Sequence, residues 1–157
     1  MNDMTVAAFE TQDENDLDAI GARRVGKSEW VAEDYLHGGC NKLAIVLSEM
    51  TGLKIGGLFI SDIDMDDAWC LTHAFCMLGE THVVDAAGVQ TLEEVKVLYA
   101  FNERFDDFSS DCENLIARET EKRNYAAFQR GERHHLRSYI REYLLPEIQA
   151  HNEGLLA

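Results

Sequence analysis

The chain of 157 residues has the length of one compact domain, and almost half of its residues are apolar, which is enough for a sizeable core. A formal net charge of −15 argues against binding to nucleic-acid backbone or to an anionic membrane. No apolar run reaches the roughly 20 residues that span a bilayer, and the first residues lack the pattern of a signal peptide. We therefore expect a cytoplasmic protein with reduced cysteines and neither nucleic-acid nor membrane partners.

Composition divides the chain into two parts. Residues 1–19 are acidic and polar, and we expect them to form a mobile or loosely docked N-terminal segment. Residues 20–157 are expected to form a single α+β domain that is helix-rich from about residue 109, with breaks near Gly131 and Pro146.

The predicted elements before residue 109 come in a simple order. A short helix is predicted from Ser28, a residue suited to an N-cap, and a second helix from Cys40 to Thr51, closed by Gly52. Three strands are predicted next, over residues 54–61, 71–78 and 81–85. A further helix is predicted from the N-cap Thr91 to about residue 99. The expected α+β fold is a central cysteine-bearing helix packed on a small antiparallel sheet, with a helical C-terminal extension.

Cys40, His73 and Asp85 occupy the start of the second helix and two consecutive strands. The thiolate is the nucleophilic form of cysteine, and a helix N-terminus favours the anion. A histidine within hydrogen-bond reach would take the thiol proton, and a carboxylate on its other nitrogen would fix the tautomer. The pattern predicts Cys40 as nucleophile, His73 as base and Asp85 as the residue that orients the base.

The residues that precede Cys40 are predicted to lie near the substrate carbonyl. Gly38 and Gly39 permit close backbone approach beside the sulfur, and the N–H of Cys40 is a natural oxyanion donor. His37 is a second candidate base, although a position just before a helix is more typical of a loop residue.

The hairpin that carries His73 and Asp85 supplies a geometric condition. A two-residue loop of Gly79 and Glu80 would point Asp85 away from His73. A loop of three residues places the two side chains on one face, either directly opposite or diagonal. The triad hypothesis therefore predicts a loop of odd length or a bulge.

Each of the three residues also has a purely structural interpretation. Cys40 is in phase with Leu43 and Leu47 and would serve as a core cysteine. His73 would be a strand histidine with satisfied hydrogen bonds, and Asp85 would cap the turn after its strand.

Four short motifs resemble the papain-like superfamily in its transglutaminase-like branch. They are Gly38-Gly39-Cys40, Thr51-Gly52-Leu53, His73-Ala74-Phe75 and Val84-Asp85-Ala86, within roughly residues 30–90. The resemblance implies Cys40 as nucleophile, His73 as base and Asp85 as orienting residue. It implies peptide or amide hydrolysis, acyl transfer or deamidation. The chain departs from that family in its shorter His-to-Asp interval and in having His82 where the family has a tryptophan.

No metal or cofactor is expected. Cys70, His73 and Cys76 have zinc-like spacing, but on a strand the histidine points away from the two cysteines. The acidic run of residues 62–67 lacks the glycine and the closing glutamate of a calcium loop, and is expected to be a solvated loop.

Three functional hypotheses remain open at this point. The first is a small cysteine hydrolase or acyltransferase that attacks an amide or thioester carbonyl of a peptide, protein or small amide through a Cys acyl-enzyme. The second is a non-enzymatic acidic binding or inhibitor protein that imitates nucleic acid, because the negative charge is concentrated in residues 1–113. The third is a domain whose triad residues are structural and whose C-terminal helices form a homo-oligomer.

Overall fold

The structure is a computed structural model that describes residues 18–62, 68–99, 105–109 and 128–154. Its elements are a 3₁₀ helix (Ala32–Tyr35), α1 (Cys40–Thr51), β1 (Ile55–Asp62), β2 (Ala68–Leu78), β3 (His82–Asp85), β4 (Gly88–Thr91), α2 (Leu92–Tyr99), β5 (Phe105–Ser109), α3 (Glu132–Tyr139), a π-helical segment (Ile140–Leu144) and α4 (Leu145–Asn152). These strands form an antiparallel sheet in the order β4-β3-β2-β1-β5. The predicted α+β architecture is confirmed. The prediction for the N-terminal segment falls, for residues 1–17, outside the described residues.

Side chains of β2 alternate between two apolar clusters, one on each face of the sheet. Ala74, Cys76 and Leu78 belong to a cluster with the buried side of α1. Phe75 and Met77 belong to a second cluster with the apolar residues of α2. This two-residue alternation is what a strand covered on both faces requires, and it sends His73 to the same face as Phe75.

The C-terminal helices complete the first of these clusters. Leu136, Tyr139, Ile140 and Leu144 are fully buried in it together with the α1 side chains. The Tyr139 hydroxyl also donates a hydrogen bond to the carbonyl of Ala86, which ties α3 to the end of β3. In the described ranges, no helix has the length and apolar character of a bilayer-spanning segment.

The two predicted C-terminal breaks behave differently. Gly131 precedes α3 in the left-handed conformation, with φ of 80°, so a helix begins there as expected. Pro146 lies in the first turn of α4, directly after the π-helical segment. Since proline has no N–H to donate, the helix changes its winding before this residue and does not end.

The prediction of a helix starting at Ser28 is wrong. The Ser28 hydroxyl donates to the carbonyl of Val25 at 2.6 Å and accepts from the N–H of Trp30 at 3.1 Å, so it closes a turn. The 3₁₀ helix begins later, after Val31, whose N–H donates to the carboxylate of Asp34 at 3.0 Å.

The N-cap at Thr91 is confirmed, because its hydroxyl accepts the N–H of Glu94 at 3.1 Å. Strands β4 and β5 were not expected from the sequence, and β5 ends at residue 109, where the stretch predicted to be helix-rich begins. Of the predicted acidic loop, residues 63–67 lie outside the described part of the chain.

Candidate active site

The loop between β2 and β3 has three residues, the odd length that the triad hypothesis requires. Cys76 pairs with Val84 and Leu78 with His82, which leaves Gly79, Glu80 and Thr81 as the loop. Gly79 has φ of 72°, a left-handed conformation that suits glycine in a three-residue hairpin loop. This register puts His73 and Asp85 diagonally on one face.

The buried carboxylate of Asp85 is held by three hydrogen bonds. His73 Nε2 donates to Oδ2 at 2.9 Å, and both side chains are almost completely buried. Oδ1 accepts from the N–H of Ala87 and from Nε2 of Gln90, each at 2.8 Å. Asp85 therefore caps the turn after its strand and also orients His73, so the structural and the functional interpretation both describe it.

Cys40 is the first residue of α1, and the described contacts of its sulfur favour a negative charge. Pairing between β2 and β3 stops at Cys76 and Val84, and just beyond it the N–H of Ala74 donates to Cys40 Sγ at 3.4 Å. Because Cys40 is the first residue of α1, its sulfur lies at the positive end of the helix dipole. Cys40 is only 6% exposed and shares the α1 cluster with Leu43 and Leu47, as its core interpretation required.

The ring of His73 connects Asp85 to Cys40. Burial alone would lower the pKa of His73, but its side-chain interactions with Asp85 and Cys40, and the charges of both, raise that pKa to about 9. Asp85 engages Nε2, whereas Nδ1 is buried and makes no hydrogen bond within the described residues. Nδ1 is thus the ring nitrogen left for the thiol.

Tyr99, at the end of α2, covers the histidine. Its ring stacks on that of His73 with 3.7 Å between centroids and 3° between planes. Its hydroxyl donates to the carbonyl of Leu36 at 3.1 Å. Burial and the charges of Asp85 and Cys40 raise the pKa of Tyr99 above its ordinary value, so it stays a neutral donor.

Two cavities flank the segment that leads into Cys40, and His37 lines both. The first, of about 230 Å³, is bounded by Leu36 and Tyr99 and reaches Asp85. The second, of about 460 Å³, is bounded by Gly38 and Gly39. His37, Gly38 and Gly39 thus line cavities next to the start of α1, whereas Cys40 and His73 are not among the residues that line either cavity. His37 is exposed, as expected of a loop residue.

The reason for glycine at position 39 differs from the predicted one. A Cβ on Gly39 would come within 2.9 Å of both the carbonyl oxygen of Asp34 and the ring of Tyr35. Gly39 is thus required by the packing of the 3₁₀ helix against the start of α1. Gly38 has no atom within 4 Å of such a Cβ and leaves open space beside the cavity.

The expected oxyanion donor already has an acceptor in this structure. The N–H of Cys40 points to the carbonyl of His37, and the N–O distance of 3.5 Å makes this a weak hydrogen bond. The N–H of Gly39 donates to Asp34 at 2.9 Å and is fully engaged. Of these two N–H groups, only that of Cys40 could leave its present acceptor for a substrate oxygen with little loss of hydrogen-bond energy.

A buried carboxylate, which sequence reasoning missed, lies at the wall of the larger cavity. Glu132 is 2% exposed and accepts from the Tyr35 hydroxyl at 2.7 Å, the Lys42 ammonium at 3.2 Å and the Gln129 N–H at 2.8 Å. Burial and the Glu132 carboxylate hold the pKa of Tyr35 above its ordinary value. This cluster joins the 3₁₀ helix, α1 and α3 near the start of α1.

Sequence reasoning also missed Gln90 and Tyr99. The signal for Gln90 was a second hairpin, because Asp85 pairs with Gly88 and Val83 with Gln90, which places Gln90 on the face of Asp85. Tyr99 gave no such signal, since its contact with His73 depends on how α2 packs across the sheet.

Within the described ranges, no group of three histidine, cysteine or acidic side chains is arranged to hold a metal ion. Comparisons with protein-family models, curated protein sequences and solved structures found no match to this chain. The chemistry of the site is therefore inferred from its own geometry.

Proposed function

We propose that this chain is a cysteine hydrolase or acyltransferase that acts on an amide or thioester carbonyl through an acyl-enzyme on Cys40. The observation that carries the proposal is the placement of the His73 ring. Its Nε2 is bound to Asp85 at 2.9 Å, and its buried Nδ1 is left without a hydrogen bond on the side of the thiol. This is the arrangement in which a histidine accepts a proton from a nucleophile while a carboxylate fixes its tautomer.

The protonation state of His73 supports the same chemistry. With a pKa of about 9, the ring carries a proton at neutral pH. An imidazolium beside Cys40, the N–H of Ala74 and the N-terminus of α1 all stabilise a thiolate. The charged ring of His73 then lies beside the sulfur and stabilises the anion that attacks.

The reaction follows in two balanced halves. The Cys40 thiolate attacks the carbonyl carbon. The oxyanion that forms accepts a hydrogen bond from the N–H of Cys40, which gives up its weak bond to the carbonyl of His37. The intermediate collapses by breaking the bond to the leaving amine or thiolate, to which His73 gives its Nδ1 proton. Water or an amine then attacks the thioester on Cys40, loses a proton to His73, and releases the acid or amide with the thiolate restored.

The cavities on both sides of the Leu36–His37 segment offer room for the two parts of such a substrate. A peptide, a protein or a small amide meets this description. The resemblance of residues 30–90 to the papain-like superfamily implies the same nucleophile, base and orienting residue.

The chain offers a matched test in its own cysteines. Cys40 and Cys76 are both buried thiols outside any disulfide and in the same apolar cluster, but Cys76 donates to the carbonyl of Ala44 and lies on the face of β2 opposite to His73. Alkylation with iodoacetamide, followed by peptide mass spectrometry, should modify Cys40 about 100-fold faster than Cys76 near pH 7, because His73 and the N-terminus of α1 stabilise the thiolate that reacts.

A small aryl thioester should then leave an acyl group on Cys40 in the native protein, and none in Cys40→Ala. His73→Gln should slow both acylation and alkylation. Equal alkylation of the two cysteines, together with no acyl adduct on Cys40, would rule out the proposal.

A further inference from the structure

Tyr99 contacts both halves of the proposed catalytic pair. Its ring lies against the imidazole of His73, 3.7 Å away and parallel within 3°. Its hydroxyl donates to the carbonyl of Leu36, four residues before Cys40. Among the described residues, it is thus in contact with the base and with the segment that delivers the nucleophile.

The stacked ring restrains a motion that the hydrogen bonds of His73 do not. Asp85 holds the imidazole at Nε2, and Nδ1 has no hydrogen bond among the described residues, so hydrogen bonding alone does not fix the plane of the ring about the Nε2–Oδ2 axis. Phe75 contacts it only in a tilted arrangement at 5.9 Å. A parallel aromatic face at 3.7 Å blocks that tilt, and its π electrons stabilise the ring when it is protonated.

The hydroxyl restrains the other half of the site. The chain from the 3₁₀ helix to α1 turns sharply, with the N–H of Gly39 bound to Asp34 and the N–H of Cys40 only weakly bound to His37. The bond from Tyr99 fixes the carbonyl of Leu36 in the middle of this segment. Without it, the backbone that carries the sulfur loses this hydrogen bond to α2.

We infer that Tyr99 is a positioning residue, whose ring sets the plane of the His73 imidazole and whose hydroxyl sets the backbone of the segment before Cys40. The inference rests on the proposed cysteine chemistry for its functional meaning. Its structural consequences are measurable without turnover. The two roles belong to different atoms of one side chain, so two substitutions separate them.

The test uses Tyr99→Phe and Tyr99→Leu in the full chain, with Val97→Ala on the same helix as control because Val97 is 77% exposed. The pKa of His73 is measured by NMR titration, with its signal assigned from its loss in His73→Gln. Amide hydrogen exchange is measured over residues 36–40. Site-resolved alkylation of Cys40 completes the set.

Tyr99→Phe keeps the stacking, so the pKa of His73 should stay near 9, while exchange over residues 36–40 should rise about fivefold for one lost hydrogen bond. Tyr99→Leu should show the same faster exchange and should also lower the pKa of His73 by about one, as the aromatic face is lost. Val97→Ala should change neither quantity. The rate of Cys40 alkylation at neutral pH should be highest in the native protein, lower in Tyr99→Phe and lowest in Tyr99→Leu.

An unchanged pKa of His73 in a folded Tyr99→Leu, or unchanged exchange in Tyr99→Phe, would overturn the inference. If Tyr99→Leu does not fold, the exchange result for Tyr99→Phe still decides. Failure of the proposed function gives a different result: Cys40 would be alkylated no faster than Cys76 in the native protein, whatever effect the Tyr99 variants have on the pKa of His73.

Discussion

Replacing Asp85 by asparagine should reverse the tautomer of His73 without removing a side chain from the site. Oδ1 of Asp85 faces two donors, the N–H of Ala87 and Nε2 of Gln90. An asparagine must keep its carbonyl oxygen there, because its NH₂ group in that place would face both donors. Its NH₂ then takes the position of Oδ2 and donates to His73. Nε2 must accept that bond, so the proton of the neutral ring moves to Nδ1, beside the thiol.

The magnitude follows from the pKa of His73. A pKa of about 9 gives an imidazolium-to-imidazole ratio of about 100 at pH 7. In Asp85→Asn the hydrogen bond and the charge of the carboxylate are gone, whereas burial, which lowers the pKa, and the interactions with Cys40, which raise it, both remain, so the pKa should fall toward its ordinary 6.5 and the neutral ring should dominate at pH 7. This corresponds to roughly 3 kcal/mol of lost stabilisation of the charged ring. Alkylation of Cys40 at pH 7 should fall about 100-fold, since the charged ring that stabilises the attacking thiolate is no longer populated.

The assay combines ¹⁵N NMR of the His73 ring, which reports the tautomer and the pKa, with site-resolved alkylation of Cys40 across pH. Glu33→Gln is the control, because Glu33 is an exposed carboxylate that lines the same cavity as Asp85. It makes the same charge change without touching the ring. A folded Asp85→Asn that keeps its proton on Nε2, its pKa near 9 and its alkylation rate would refute the reasoning.

Three further outcomes are expected. Gly39→Ala should destabilise the fold by about 1–3 kcal/mol in urea unfolding, because its Cβ meets the Tyr35 ring, whereas Gly38→Ala should change little; equal effects would contradict the packing argument. Glu132→Ala should lower the free energy of unfolding by about 3 kcal/mol, since it leaves the buried donors of Tyr35 and Lys42 without an acceptor, and Glu132→Gln should lower it less. An alanine variant as stable as the native protein would show that the cluster adds nothing to stability. The pKa of His73 is raised in the folded protein, so the charged ring contributes about 3 kcal/mol to the free energy of unfolding below pH 6.5, and this contribution is lost as the pH rises through about 9. Unfolding measured across this pH range should show the loss in the native protein and not in His73→Gln.

The hairpin of β2 and β3 shows how much of the site could be predicted from the sequence. Because side chains alternate along each strand, His73 and Asp85 share a face only if the loop between β2 and β3 has an odd number of residues, and it has three. The sequence could not choose between the two odd registers, because both put the side chains on one face. The structure has the register with the loop Gly79, Glu80 and Thr81, in which Gly79 is left-handed.

The missed features have physical causes. Strand β4 has four residues, too few for alternation to stand out, and Ser28 offered a cap pattern that its own bonds to Val25 and Trp30 use for a turn. Tyr99 reads as an ordinary helix-end aromatic, and only the packing of α2 across the sheet brings it to His73. Local signals predicted the elements, whereas contacts between distant segments had to come from the structure.

The shared carboxylate of Asp85 has a consequence for how such a chain would change in evolution. One oxygen shapes the turn into β4 and the other holds the histidine, so a substitution at Asp85 disturbs folding as well as the proposed chemistry. Cys40 contributes less to the fold, namely its volume in the core and one sulfur acceptor for the N–H of Ala74. A descendant that abandoned the chemistry would therefore lose the cysteine first and keep the aspartate. A search for inactive relatives should expect small apolar residues at position 40 above an intact His73–Asp85 pair.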